Sequence, residues 1–224
     1  TRVTTTRVIH HLQCLIMARR SVFSGVLLRL IMLGLKLPTD PRWASAAEMH
    51  LSDILTDHAY CEQKAASTAI SLMITYPELS DLVTEMAALA REEMSHFEMV
   101  HKRILERGMT LGRERKDEYV AAITKFFAPH GDRMKRLVHR LLIAALIEAR
   151  SCERFRVLSE SVQDAELATF YSRLMASEAN HYTMFLKFAR QYGDRTEVDR
   201  LWKELLAYEA TVVATFTNPQ YVHG

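Results

Sequence analysis

Four stretches of this chain carry apolar residues at alternating steps of four and three, the spacing of helices packed in a bundle. The first stripe is Leu51, Leu55, His58, Glu62, Ala65, Ala69, Leu72 and Tyr76, and the second is Leu82, Met86, Leu89, Glu93, His96 and Val100. The third is Leu137, Leu141, Ala144, Glu148, Ser151, Phe155 and Leu158, and the fourth is Leu167, Tyr171, Leu174, Glu178, His181, Phe185 and Phe188. Every stripe is mainly apolar, and every stripe has a glutamate in its middle.

The stripes predict long helices over about 51–76, 78–107, 132–159 and 164–192. Pro77 stops the first, Gly108 caps the second and Gly193 closes the fourth. Thr39-Asp40-Pro41 predicts a short helix running through Trp43 to about Met49. Met109–Lys116 reads as a loop, and Asp117–Phe127 as a short helix ended by Pro129 and Gly131. Asp194 followed by Glu197 predicts a capping box that opens a last helix reaching about Phe216. The links within the first and last pairs of long helices are only a few residues, so each pair is an antiparallel hairpin. More than twenty residues join the second helix to the third, enough to cross the bundle and return. The predicted fold is all-α: a ferritin-like four-helix bundle with extra short helices and a C-terminal helix.

Seven Gly and five Pro in 224 residues suit a helical chain. Charge is uneven. Residues 1–39 hold Arg2, Arg7, Arg19, Arg20, Arg29 and Lys36 and no acid, which leaves 23 basic and 27 acidic residues after them. The expected organisation is a basic N-terminal extension over 1–36 outside the core, then one domain over 37–224. The extension is Arg- and Thr-rich like a transit peptide, and a start near Met32 is the preferred reading. Cys14, Cys61 and Cys152 form no CxxC pair, which argues against a disulfide framework or a rubredoxin-type site and for a reducing, cytoplasmic setting. No uncharged apolar run is long enough to span a membrane.

The candidate chemistry lies in the middle of the stripes. One ionised carboxylate in a core costs several kcal/mol, and four at one level also repel one another. Such a sequence should fold only around cations. Glu93 with His96, and Glu178 with His181, are Glu-x-x-His pairs whose members share a helix face about one turn apart. With Glu62 and Glu148 they make the ligand set of di-iron and di-manganese bundles. Four carboxylates balance two divalent ions, and mixed carboxylate and imidazole donors suit Fe or Mn better than Ca. The two halves also repeat: Glu62 precedes Glu93, and Glu148 precedes Glu178, by almost the same interval.

Other residues read more blandly. Glu92, Glu98 and Glu153 lie off the stripes and are expected at the surface or behind the ligands. His58 is expected to be a hydrogen-bonded core histidine, and Cys61 and Cys152 ordinary buried thiols. A basic cluster of Arg113, Arg115, Lys116, Arg133, Lys135, Arg136 and Arg140 is either a solvated face or a contact for phosphates.

The segments DHAYCEQKAASTA (57–69), LAREEMSHFE (89–98), LIEARSCERF (146–155) and SEANHY (177–182) resemble the tRNA 2-methylthio-N6-isopentenyladenosine hydroxylases, the MiaE family, over roughly residues 37–217. The resemblance implies an O₂-dependent mono-oxygenase that hydroxylates the isopentenyl group of a hypermodified adenosine beside the tRNA anticodon. It makes Glu62, Glu93, His96, Glu148, Glu178 and His181 the ligands of two irons, with Glu93 and Glu178 as bridges. It implies the anticodon stem-loop as partner, with the basic cluster as its dock. An external reductant, a ferredoxin or a reductase, is also implied, because the chain has no nucleotide fingerprint of its own. A monomer or dimer is expected. The competing readings are an iron-storing or peroxide-handling ferritin relative, a di-iron oxygenase of another apolar substrate, and a metal-free helical interaction module.

Overall fold

Aspartate opens four of the helices in this protein. A computed structural model describes residues 33–40, 42–128 and 131–215. The chain divides at residue 36, and the bundle belongs to the unit from Lys36 onward. The N-terminal extension lies almost wholly outside the described residues, as do Pro41, Pro129 and Phe216. The helices among the described residues are α1 (Arg42–Met49), α2 (Leu51–Thr75), α3 (Ser80–Glu106), α4 (Glu118–Thr124), α5 (Arg133–Ser161), α6 (Ala165–Tyr192) and α7 (Arg195–Val213). Asp117, Asp132, Asp164 and Asp194 precede α4 to α7, and each side chain accepts a backbone N–H of the first turn. At α7 only half of the expected capping box forms, because the Glu197 carboxylate turns to Arg200 instead.

The second long helix starts later than its stripe predicts. Leu79 is its N-terminal boundary and offers no side-chain cap. Glu78 is drawn away to an ion pair with Arg133, 2.5 Å distant at the start of α5. Its other end follows expectation: Gly108 sits at φ +68°, its N–H reaches Leu105 O at 2.9 Å, and the Met109 N–H reaches Ile104 O at 3.0 Å. A left-handed glycine thereby satisfies two terminal carbonyls. Gly193 ends α6 for another reason. Its φ is −122°, but a Cβ there would stand 2.8 Å from Val198 Cγ2 and 2.9 Å from Val138 Cγ2. A hydrogen is all that fits where α5, α6 and α7 converge.

Helices α2 and α3 pack along their length as one hairpin, and α5 and α6 as the other. Small residues on the facing sides, among them Ala59, Ala66, Ala69, Ala145 and Ala149, are fully buried. Backbones approach closely within a hairpin and stand further apart between hairpins, which leaves room for glutamate and histidine side chains in the middle. The stripes of α3, α5 and α6 are buried at every position. An apolar cluster including Leu55, Val100, Phe155, Leu158 and Leu174 fills one end of the bundle.

Glu153 corrects the surface expectation. It lies round the helix from Glu148 and is 1% exposed, because α5 has a covered back as well as a covered front. Arg150 is fully buried there, 3.1 Å from Glu153 and 2.6 Å from Glu209 of α7. Its guanidinium also donates to Leu37 O at 2.9 Å, and Glu153 accepts the Thr39 N–H at 3.1 Å. Glu209 accepts from Tyr119 Oη at 3.1 Å. One buried charge network therefore holds residues 37–39, the crossover helix α4 and α7 against the back of α5.

Candidate metal centre

The predicted ligands meet. Glu62 comes from α2, Glu93 and His96 from α3, Glu148 from α5, and Glu178 and His181 from α6, and all six are 5% exposed or less. Glu62, Glu93, His96 and Glu178 each offer a ligand atom within 4.8 Å of the others'. Glu93, Glu148 and His181 form a second such group. Glu93 belongs to both.

Both histidines turn Nδ1 inward. His96 Nδ1 is 3.3 Å from Glu93 Oε2 and 3.6 Å from Glu62 Oε2. His181 Nδ1 is 2.9 Å from Glu93 Oε1 and 4.0 Å from Glu148 Oε2. The outer nitrogens face one residue, Glu92: its Oε2 is 3.4 Å from His181 Nε2, and its Oε1 is 3.9 Å from His96 Nε2. Of the two places expected for Glu92, the surface or behind the ligands, it takes the second while keeping a side chain that is 47% exposed. His58 is the core histidine expected, fully buried, with Nε2 2.6 Å from Glu62 Oε1 and its ring against Phe155 and Tyr171.

The electrostatics are those of a site short of positive charge. Burial lifts the Glu62 carboxyl to about 8 despite His96 beside it, and lifts Glu148 to about 7. Burial and then Glu148 push Glu178 well up. Burial also opposes ionisation of Glu93, but His181 and His96 outweigh it and hold that carboxyl well below the ordinary range. Burial likewise opposes charge on the imidazoles, yet Glu62 and Glu93 raise His96 to about 10, and Glu93 and Glu148 raise His181 to about 9. Glu178 Oε1 is buried with no hydrogen-bond donor. A buried acceptor without a donor is costly, and four carboxylates with two imidazole nitrogens suit a pair of divalent cations. These residues fit a di-iron centre.

A cavity of about 720 Å³ reaches the cluster. Its buried wall includes Glu148, Ala144 and Phe185, and its exposed rim includes Lys116 and Arg136. The basic cluster is thus divided. Lys116, Arg136 and Arg140 line the cavity, and none makes an ion pair among the described residues. Arg115 pairs with Asp53 at 2.9 Å and Arg133 with Glu78, while Arg113 and Lys135 are exposed away from the cavity wall. Cys61 also lines the cavity, and burial holds its thiol protonated.

Two hairpins, a long crossover and a buried centre of four carboxylates and two imidazoles define a ferritin-like protein of the di-iron type. The tRNA-(MS[2]IO[6]A)-hydroxylase (MiaE) family matches residues 26–224, so the likeness starts upstream of residue 37 and continues to residue 224. The chain is 39% identical to the tRNA 2-(methylsulfanyl)-N(6)-isopentenyladenosine(37) hydroxylase of Pseudomonas putida, over 79% of this chain and 84% of that protein. It is 29% identical to the enzyme of the same name from Salmonella typhimurium, over 69% of this chain and 74% of that protein. Among solved structures, protein 43 with aldehyde deformylating oxygenase activity from Synechococcus superposes with a TM-score of 0.78 at 33% identity, covering 85% of this chain and 95% of its own. The chain belongs to the MiaE family of tRNA hydroxylases, and it is an enzyme.

Proposed function

We propose that this enzyme hydroxylates the isopentenyl group of a 2-methylthio-N6-isopentenyladenosine in tRNA, using O₂ and two electrons from an external donor. The observation that carries the reading is the cavity between Lys116, Arg136 and Arg140 at the rim and Glu148 at the inner wall. The rim suits phosphates, the wall suits a hydrocarbon chain, and the end of the wall is a metal ligand in this reading. A free apolar aldehyde would have no use for the cations, which disfavours that alternative.

Glu62, Glu93, His96, Glu148, Glu178 and His181 would hold two irons, with Glu93 belonging to both groups of ligand atoms. The irons, once bound, supply O₂ activation that no side chain can perform. The remaining tasks fall to the chain. Ala144, Ile147 and Phe185 receive the prenyl group and exclude water from the inner end of the cavity. Lys116 and Arg136 hold the RNA backbone by charge. Each histidine would offer Nδ1 to the metal pair and keep its proton on Nε2, the side on which Glu92 lies.

The test is nucleoside analysis of tRNA from cells lacking the hydroxylase, incubated with iron-loaded protein, O₂ and a reductant. The isopentenyl nucleoside should be replaced by one that is one oxygen heavier. Unchanged tRNA alongside fully loaded, reducible protein defeats the proposal.

A further inference from the structure

The cavity has an aromatic side that the chemistry above does not use. Phe127, just beyond α4, and His139 on α5 both line it, with ring centroids 4.0 Å apart and planes 11° from parallel. The two rings come from different elements and are both half-buried. Phe127 is backed by a ring that does not line the cavity. Phe126 meets Phe127 edge-on at 4.8 Å and packs on Tyr208 of α7 at 5.3 Å. Tyr208 Oη in turn donates to Ala122 O at 3.1 Å. A stacked pair held from behind is a rigid flat surface, and burial together with Lys135 keeps the His139 ring neutral.

Helix α5 supplies a ruler. Arg136, His139, Arg140, Ile143, Ala144, Ile147 and Glu148 follow one another down the cavity wall. His139 and Glu148 are separated by about 14 Å along the axis at the usual helical rise. A purine with an extended five-carbon substituent is on the order of 10 Å long, counted from ordinary bond lengths. A ring seated at His139 would carry its prenyl chain past Ile143 and Ala144 toward Glu148, and a purine without that chain would leave the inner cavity empty. Arg136 and Arg140 flank His139. Arg140 is steadied by Ser71 Oγ at 2.9 Å rather than by a carboxylate, so its charge is free for a phosphate.

Resting on the function proposed above, we infer that Phe127 and His139 form the stacking surface for the purine of the substrate nucleotide and thereby select the prenylated base. Single-stranded RNA bases are commonly held on aromatic faces in this way. The division of labour is then spatial: the cations bind any RNA backbone, and the aromatic pair sets how deep the base enters.

The test is binding of two anticodon stem-loop RNAs, identical except that one carries N6-isopentenyladenosine at the substrate position and the other plain adenosine. The holoenzyme should prefer the prenylated RNA. Phe127→Ala and His139→Ala should each reduce that preference about tenfold, the scale of one lost base stack. Affinity for the plain RNA and its salt dependence should change little, whereas Arg136→Gln should weaken both RNAs and flatten the salt dependence. Because truncation could disturb the packing on Tyr208, His139→Phe and His139→Leu are measured as well: both fill the space, and only the first is flat. Preference kept by Phe and lost by Leu supports the inference. Preference kept by His139→Leu and by both alanine variants overturns it while leaving the proposed function standing. A wild-type enzyme that binds both RNAs equally also overturns this inference, whereas the proposed function stands or falls on the nucleoside analysis above.

Discussion

Glu93 and His181 belong to different hairpins, yet Glu93 Oε1 lies 2.9 Å from His181 Nδ1. The Glu-x-x-His pair of one hairpin thus reaches into the pair of the other. The two metal positions proposed here share a carboxylate from α3, and neither hairpin could complete its position alone.

That interlocking predicts a pH dependence for the metal-free protein. Glu62 and Glu148 keep protons up to about 8 and about 7, against 4.5 ordinarily, and His96 and His181 up to about 10 and about 9, against 6.5. The folded state therefore binds more protons than the unfolded chain throughout the neutral and mildly alkaline range. Stability must fall as pH rises there. The histidines' share is complete below 6.5 and disappears as pH passes through about 9 to 10. Glu93, held low, contributes the opposite slope only in acid. Thermal melts of metal-free protein from about pH 5 to 9 should show a falling Tm. Bound Fe(II) or Mn(II), which takes the place of the protons, should raise and level the curve. A metal-free Tm that climbs with pH would contradict this account.

Glu92→Gln should weaken metal binding by about 10- to 100-fold, the usual effect of removing a carboxylate behind a histidine ligand. The Glu92 side chain is 47% exposed, so folding should be unaffected. Metal titration followed by absorbance reads the affinity, and unchanged binding would make Glu92 a bystander.

Arg150→Met should cost about 3–5 kcal/mol, because Glu153 and Glu209 would remain buried without their cation. The loss should appear in chemical denaturation of metal-loaded protein. A variant as stable as wild type would mean that Thr39, Tyr119 and Arg156, whose Nη2 lies 3.3 Å from Glu153 Oε1, suffice for the two carboxylates.

Gly193→Ala should destabilise by about 1–3 kcal/mol through overpacking against Val138 and Val198. Pairing it with Val198→Ala should recover part of the loss, since one of the two crowding methyls goes. No recovery in the double variant would show that some other contact decides.

Much of the bundle was legible in the sequence because its core repeats at helical spacing. A stripe that places Leu, Met and Phe inside must place the glutamate on the same line inside too, so Glu62, Glu93, Glu148 and Glu178 declared themselves together. Aspartates 117, 132, 164 and 194 marked helix starts for a local reason, the geometry of the first turn. What stayed hidden depends on contacts between distant segments. Glu153 reads as a surface group or one behind the ligands, because periodicity reports one face of α5 and cannot report residues 37–39 covering another. Glu92 met both histidines only through the angle at which the hairpins face each other. Arg115 and Arg133 looked like Lys116 and Arg136 until the fold gave the first two Asp53 and Glu78.

The crossover between α3 and α5 is joined to the rest through Tyr119, Tyr208 and the rim of the cavity, and it contributes none of the six clustered carboxylate and imidazole side chains. The cluster that would carry out oxidation sits on the four long helices, while the surface that would choose what is oxidised is shared between the crossover, which gives Phe127, and α5, which gives His139. Residues 107–132 could be exchanged for another connection of similar length while the four long helices kept their centre. In such a fold new guests can arise by rebuilding the doorway, with the furnace left untouched.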